Sequence, residues 1–148
     1  SHCKVVQAPL LKNELSSGER IVKVSEQGKP SETRFSVEER YENATLVKAS
    51  PVTGRTHQIR VHMAHIAHPL LGDQTYGGRP RPPKNASEEL MEVLRNFKRQ
   101  ALHAVMLRLQ HPISGEMMEW YAPLPDDFVE LVTALKADYV LHKDELDY

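Results

Sequence analysis

Residues 54–66 of the chain read GRTHQIRVHMAHI, and residues 68–73 read HPLLGD. Within the first segment Thr56 is a candidate N-cap for a helix, because apolar side chains recur after it at i, i+4 and i+7, at Ile59, Met63 and Ile66. The pair His68-Pro69 predicts the end of that helix. This helix should organise the centre of the fold, with two arginines and several histidines on or beside it.

Alternating polar and apolar side chains predict strands on both sides of this helix. Glu19 to Val24 and Thr33 to Val37 suggest a pair of strands around the turn Gly28-Lys29-Pro30. Further strands are expected at 44–50, 103–110 and 117–121, and further helices from Ser87 and over 126–142. Because strands often follow one another directly, the sheet should be largely antiparallel and flanked by helices. We expect an α+β fold in one domain.

Length and composition place the chain among globular proteins. It has 148 residues, of which 40% are hydrophobic. No apolar run approaches the roughly 20 residues that a membrane span needs, and residues 1–20 lack the apolar core of a secretory signal. We therefore expect a cytoplasmic protein without a membrane partner. Cys3 is the only cysteine, which excludes an internal disulfide and a thiolate metal site.

Charge is unevenly distributed along the chain, although the formal net charge is only −1. Residues 1–109 have 17 basic and 11 acidic side chains, a net charge of +6. Residues 110–148 have 2 basic and 9 acidic side chains, a net charge of −7. A basic body with an acidic end is compatible with a nucleic-acid surface, but a solvated charged surface would give the same count.

Four histidines, at 57, 62, 65 and 68, raise the question of a metal site. His62 and His65 have a spacing that allows two ligands on one helix face, but no carboxylate accompanies them as in the metalloprotease helix pattern. Packed or RNA-facing histidines are the better interpretation, and we predict no metal.

Arg60 and Asp73 are the charged residues of this region that most need an explanation. Arg60 lies between Ile59 and Val61, so its guanidinium should be partly buried and require an anion. Asp73 is the only acidic residue between Glu42 and Glu88 and follows a glycine, a context in which aspartate usually accepts hydrogen bonds from its own backbone. We expect a structural role for Asp73.

The segment 79–84 reads RPRPPK. Its prolines hold the chain extended, which lowers the entropy that Arg79, Arg81 and Lys84 would lose on contacting a strand of phosphates. A solvated loop remains the alternative.

Residues 54–62 and 68–73, with Tyr76-Gly77, resemble the C-terminal signature of RluA-type ribosomal large-subunit pseudouridine synthases. The resemblance covers essentially all 148 residues. Positions 1 to about 62 look most like the C-type enzyme. From residue 78 to 148 the sequence looks most like the D-type, so the target uridine is left open.

This resemblance implies a catalytic domain with a long, mostly antiparallel sheet and an RNA cleft, and a reaction without metal or cofactor. A uridine of the large-subunit ribosomal RNA is flipped out, its N1–ribose bond is broken with help from an aspartate, and the uracil is rejoined through C5. The arginine that Arg60 resembles is an ion-pair partner of that aspartate. Residues near the RNA are expected to be Arg55, Thr56, His57, Gln58, Arg79, Arg81 and Lys84.

One departure from the family is decisive for activity. The catalytic aspartate of such enzymes lies in a His-Arg-Leu-Asp stretch, and these 148 residues contain none. We interpret 1–148 as a single partial domain, the C-terminal portion of the catalytic domain, without the N-terminal half and any RNA-binding domain. It should be inactive alone, with the missing half as a partner. The alternative is a non-catalytic RNA-binding module derived from that fold.

Overall fold

The computed structural model describes residues 3–77 and 83–146, which form seven strands and three helices. The strands are β1 (Lys4–Gln7), β2 (Leu10–Glu14), β3 (Arg20–Val24), β4 (Glu32–Arg40), β5 (Thr45–Pro51), β6 (Met106–Gln110) and β7 (Met117–Tyr121). The helices are α1 (Gln58–His65), α2 (Glu88–Asn96) and α3 (Asp126–Leu146). The predicted class is confirmed: the fold is α+β.

All strand pairs of the described part are antiparallel, in three small sheets. One sheet has the order β1-β4-β5, and two others are the pairs β2-β3 and β6-β7. In the first sheet Thr33 of β4 lies opposite Val6 on one side and Pro51 on the other. Its central position in the sheet brings Thr33 beneath α1, where it is fully buried.

The expected pairing of strands 19–24 and 33–37 is wrong. β3 pairs with β2, and β4 pairs with β1 and β5. Between β3 and β4 the backbone of Lys29 exchanges two hydrogen bonds with Leu10, each 2.9 Å long. Gly28 permits this approach, since a Cβ there would collide with the Leu10 backbone. The chain therefore crosses to another sheet, which strand periodicity alone does not reveal.

Helix α1 begins later than predicted, and the side of the helix that is buried also differs from the prediction. His57, not Thr56, is the N-cap, with φ 53° and no side-chain capping bond. The buried residues are Gln58, Val61, His62 and Met63, whereas Ile59 and Ile66 are partly exposed. The expectation failed because two polar side chains, Gln58 and His62, occupy the interior through hydrogen bonds that an apolar pattern cannot show.

A hydrophobic core joins α2 to α3. Tyr41, Leu90, Phe97, Leu131 and Leu135 form it. Ser87 caps α2 as predicted, because its hydroxyl accepts a hydrogen bond from the Leu90 amide. The buried carboxylate of Asp138 accepts from the Ser87 backbone N–H at 2.8 Å, so α3 also holds the start of α2.

Within the described ranges, no helix combines the length and apolar character needed to cross a bilayer.

Candidate active site

Arg60 and Asp73 form a buried, two-pronged ion pair. The Nε and Nη2 atoms of Arg60 donate to Oδ2 and Oδ1 of Asp73 at 2.9 and 2.8 Å. The Asp73 side chain is fully buried, and the Arg60 side chain is 14% exposed. This fork-to-carboxylate geometry is stronger and more directional than a single contact. The predicted need of Arg60 for an anion is therefore met within the chain.

The carboxylate of Asp73 is fixed by its own turn. Oδ1 accepts hydrogen bonds from the backbone N–H groups of Thr75 and Tyr76, as the sequence predicts for an aspartate in a turn. Gly72 precedes it with φ +80°, and a Cβ there would collide with the carbonyl of Arg99. The hydrogen bond from Arg60, aided by these backbone donors, holds the pKa of Asp73 below its usual range. Asp73 is thus a fixed anion that orients Arg60.

Tyr76 was not among the predicted site residues, yet it links the other parts of the site. Its ring lies beneath the guanidinium of Arg60, 4.9 Å from the ring centroid. Its hydroxyl accepts from the Val22 amide of β3 at 3.0 Å, and lies 2.7 Å from Nδ1 of His57. The signal in the sequence was the pair Tyr76-Gly77, three positions after Asp73, which belongs to the stretch that resembles the family signature.

His57 meets Tyr76 at the mouth of a cleft. The Tyr76 oxygen accepts from Val22, and its hydrogen bond with Nδ1 of His57 fits either tautomer of the neutral ring, with Nδ1 accepting from the hydroxyl or donating to it. Burial, reinforced by the charge of Arg60, lowers the pKa of His57, which favours this neutral ring. The cleft has a volume of about 470 Å³ and is also lined by Thr75 and by the β2–β3 turn from Leu15 to Ile21.

Gln58 lies at the centre of a buried polar network beneath α1. Its Oε1 accepts from the hydroxyl of Thr53 and the amide of Arg55, and its Nε2 donates to the Glu32 carbonyl and the Thr33 hydroxyl. These four contacts use the whole side-chain amide, which leaves Gln58 no free group for an RNA strand. We therefore correct its expected RNA contact to a structural role.

His62 completes this network. Its Nε2 donates to the Ala8 carbonyl at 2.9 Å, since a carbonyl only accepts, and its Nδ1 lies 2.8 Å from the Thr33 hydroxyl. The ring is fully buried and joins α1 to the start of the chain. His62 therefore has a packing role, which is one of the two roles that the sequence suggested for the histidines. In the described ranges, no three His, Cys, Asp or Glu side chains converge as metal ligands would.

The remaining predicted RNA-contact residues lie at or near the surface. The guanidinium of Arg55 donates twice to the Pro30 carbonyl and stays exposed, and Thr56 is partly exposed. Lys84 is exposed. Arg79 and Arg81 lie outside the described residues. RNA contact by these residues stays a prediction.

Comparison with known families gives a match over the same region. The family described as RNA pseudouridylate synthase matches residues 5–65, a segment that includes α1, Arg60 and the buried network. The match ends before Asp73 and Tyr76, which complete the site in three dimensions.

Curated relatives match over most of the chain. The ribosomal large subunit pseudouridine synthase D of Haemophilus influenzae is 75% identical over 128 residues, which is 86% of this chain and 40% of that protein. The protein of the same name from Escherichia coli is 60% identical over 121 residues, 82% of this chain and 37% of that protein. This chain thus spans about two fifths of the length of these relatives. Because the alignment with the Haemophilus influenzae protein covers 128 of the 148 residues, it includes part of positions 1–62. The expected likeness of these positions to the C-type enzyme stays a prediction.

Solved structures agree with the fold. Human RNA pseudouridylate synthase domain containing 4 matches with a TM-score of 0.65 at 26% identity, over 90% of this chain and 56% of that one. Human RNA pseudouridylate synthase domain containing 1 matches with a TM-score of 0.56 at 26% identity, over 91% of this chain and 60% of that one.

Proposed function

We propose, because this chain belongs to the RluA-type family of pseudouridine synthases, that it is the C-terminal part of a catalytic domain that isomerises uridines in large-subunit ribosomal RNA. The observation that supports this most is the Arg60 guanidinium, which Asp73 holds along one edge. A guanidinium has five N–H groups, and Asp73 accepts from two of them. The others are available to a second carboxylate.

In the proposed reaction this second carboxylate is the catalytic aspartate. Breaking the N1–ribose bond, turning the uracil and joining C5 to the ribose leaves the composition of the RNA unchanged, because N1 takes up a proton when the C5 proton is released to solvent. A nearby arginine favours the ionised form of the aspartate that the reaction uses. Asp73 and Tyr76 are positioning residues for Arg60, one through the ion pair and the other through its ring.

The proposed RNA surface lies beside this pair. Arg55, Thr56 and His57 precede α1, with His57 lining the cleft, and Arg79, Arg81 and Lys84 follow the Asp73 turn in the sequence. The cations of these two segments would neutralise phosphates of a flipped-out strand. A cytoplasmic location, where ribosomal RNA is processed, is part of the proposal.

The 148 residues contain no His-Arg-Leu-Asp stretch, so we infer that the catalytic aspartate comes from polypeptide outside them. Alone, the chain should bind RNA weakly and leave it unmodified. We call the polypeptide that supplies the aspartate the complementing half. Any separate RNA-binding domain would also lie outside this chain.

The test is tritium release from large-subunit ribosomal RNA labelled at C5 of uridine. We expect none from the purified chain and release when the preceding part of the Haemophilus influenzae relative is added as the complementing half. Turnover by the chain alone would contradict the proposal and would transfer the catalytic role to Asp73.

The second candidate is a non-catalytic RNA-binding module. The closed pair of Arg60 with Asp73 favours it, because the arginine is already neutralised within the chain. This candidate predicts salt-dependent RNA binding, with no tritium release even when the complementing half is bound. The same assay therefore separates the two candidates.

A further inference from the structure

Strands β6 and β7 form a two-stranded ribbon with two unlike faces. In its register Leu107 lies opposite Trp120, and Leu109 lies opposite Met118. Because side chains alternate along a strand, these four residues share one side, which we call the apolar face. It contains no charged and no hydrogen-bonding side chain except the indole N–H.

The apolar face is open to solvent in the described structure. Leu107 is 54% exposed, Leu109 51%, Trp120 47% and Met118 37%. In the described ranges no third strand pairs with the ribbon. Isolated two-stranded ribbons are marginally stable in water, and four large adjacent apolar side chains at a surface are typical of an interaction site.

The opposite face is mixed, because Met106 and Met117 are also exposed there, at 43% and 60%, beside a polar group. Arg108 forms an ion pair with Glu119 across the strands, and the Tyr121 hydroxyl donates to the same carboxylate at 2.9 Å. These polar groups satisfy one another in water. The ribbon therefore has one wholly apolar side and one side on which polar and apolar side chains are mixed.

We propose that the apolar face is the docking surface for the complementing half, an inference that rests on the proposed function. Relatives have about 60% of their length outside the matched region, and 40 to 44% of each solved structure's chain lies outside its match to this one. Enough polypeptide therefore exists in such proteins to cover the face and to extend the ribbon at its open edges.

An RNA strand fits the face less well, because it would require cations, and the apolar face has none. A second copy of the chain is left as an outcome of the test, in which a homodimer that L107S/L109S dissociates would overturn the inference.

The experiment measures association of the chain with the preceding part of the Haemophilus influenzae relative. Trp120 is the only tryptophan in the chain, so 5-fluorotryptophan labelling reports this face alone by fluorine NMR. We expect the Trp120 signal to shift on binding. The double variant L107S/L109S should weaken binding at least about 30-fold, the equivalent of about 2 kcal/mol for two lost apolar contacts.

The matched control is V140S/L141S, which removes two apolar side chains of α3 that are 53% and 54% exposed. It should bind like the wild type. Circular dichroism of both variants should show unchanged helix content, since all four side chains lie at the surface.

Several outcomes would overturn the inference. One is that the wild-type chain does not associate with the complementing half. Another is that L107S/L109S binds it as tightly as the wild type. The third is a homodimer of the chain that the substitutions L107S/L109S dissociate. Binding lost in L107S/L109S but without tritium release by the wild-type pair would support the docking surface and contradict the proposed function. Tritium release that is the same for L107S/L109S as for the wild type would support the proposed function and contradict the docking surface.

Discussion

Two bidentate arginine–carboxylate pairs in this protein share one geometry but differ in exposure. Arg60 with Asp73 is 14% and 0% exposed, whereas Arg99 with Asp127 is 38% and 47% exposed. Water screens the second pair, so only the first should contribute much to stability. The first is also the pair that orients the proposed catalytic arginine.

Replacing Asp73 by asparagine should lower the free energy of unfolding by about 2 to 4 kcal/mol, because it leaves a largely buried guanidinium without its counter-ion. Asp127→Asn is the matched control and should cost much less. Urea denaturation measures both. Equal losses would show that burial does not decide the strength of these pairs.

The lowered pKa of Asp73 gives this contribution a pH dependence. A carboxyl whose pKa is lower in the folded state stabilises the fold above its unfolded pKa, and this stability is lost as pH falls through the folded pKa. The stability difference between the wild type and Asp73→Asn should therefore stay constant from about pH 7 to about pH 5 and shrink only as pH falls below the unfolded-state pKa of about 3.9. A difference that grew in acid would contradict this assignment.

At the scale of elements, α1 and α2 begin in opposite ways. Ser87 caps α2 with its hydroxyl, whereas α1 starts at a left-handed His57 whose side chain bonds to Tyr76 instead. A non-glycine residue in that conformation costs energy, and it occurs here at the rim of the cleft. The start of α1 is thus shaped by the site.

Ser87→Ala should cost about 1 kcal/mol of stability through the lost cap. Thr56→Ala, at the position that the sequence predicts as a cap, should cost no more than about 0.5 kcal/mol, because Thr56 does not cap the helix. Thermal unfolding of the two variants makes the comparison. A larger loss of stability for Thr56→Ala than for Ser87→Ala would indicate that Thr56 does cap α1.

Periodicity predicted most elements, since the strand patterns and the capping pattern at Ser87 are local in the sequence. It did not predict the partners of β3, which depend on the close approach of Lys29 to Leu10. Nor did it indicate that Gln58 and His62 face inward. The contact of Arg60 with Asp73 spans a loop whose path depends on Gly72, and no periodic signal encodes it.

At the scale of the whole molecule, charge separates along the chain. The part of the chain before position 110, which has a net positive charge, contains the site and residues 79–84, whereas the negatively charged part from position 110 onward contains all of α3. This asymmetry would orient a polyanion toward the site end of the sequence and away from α3.

Replacing Arg79, Arg81 and Lys84 by alanine together should weaken RNA binding and reduce the slope of log K against log salt by about 2 units, at roughly 0.7 per phosphate contact with a single strand. The control replaces Lys98, Lys136 and Lys143 by alanine, which removes the same number of positive charges. It should leave the slope of log K against log salt nearly unchanged. Filter binding at several salt concentrations measures it. Equal effects of both triple variants would mean that only net charge matters.

The central claim is that Arg60 serves a catalytic carboxylate supplied by other polypeptide. Tritium release by the chain with its complementing half tests it most directly in R60M/D73N, which removes both charges and so leaves no unpaired buried ion. We predict a fall in kcat on the order of 100-fold, with association intact and with Arg99→Met, the exposed control, unchanged. An unchanged kcat in R60M/D73N would contradict the account.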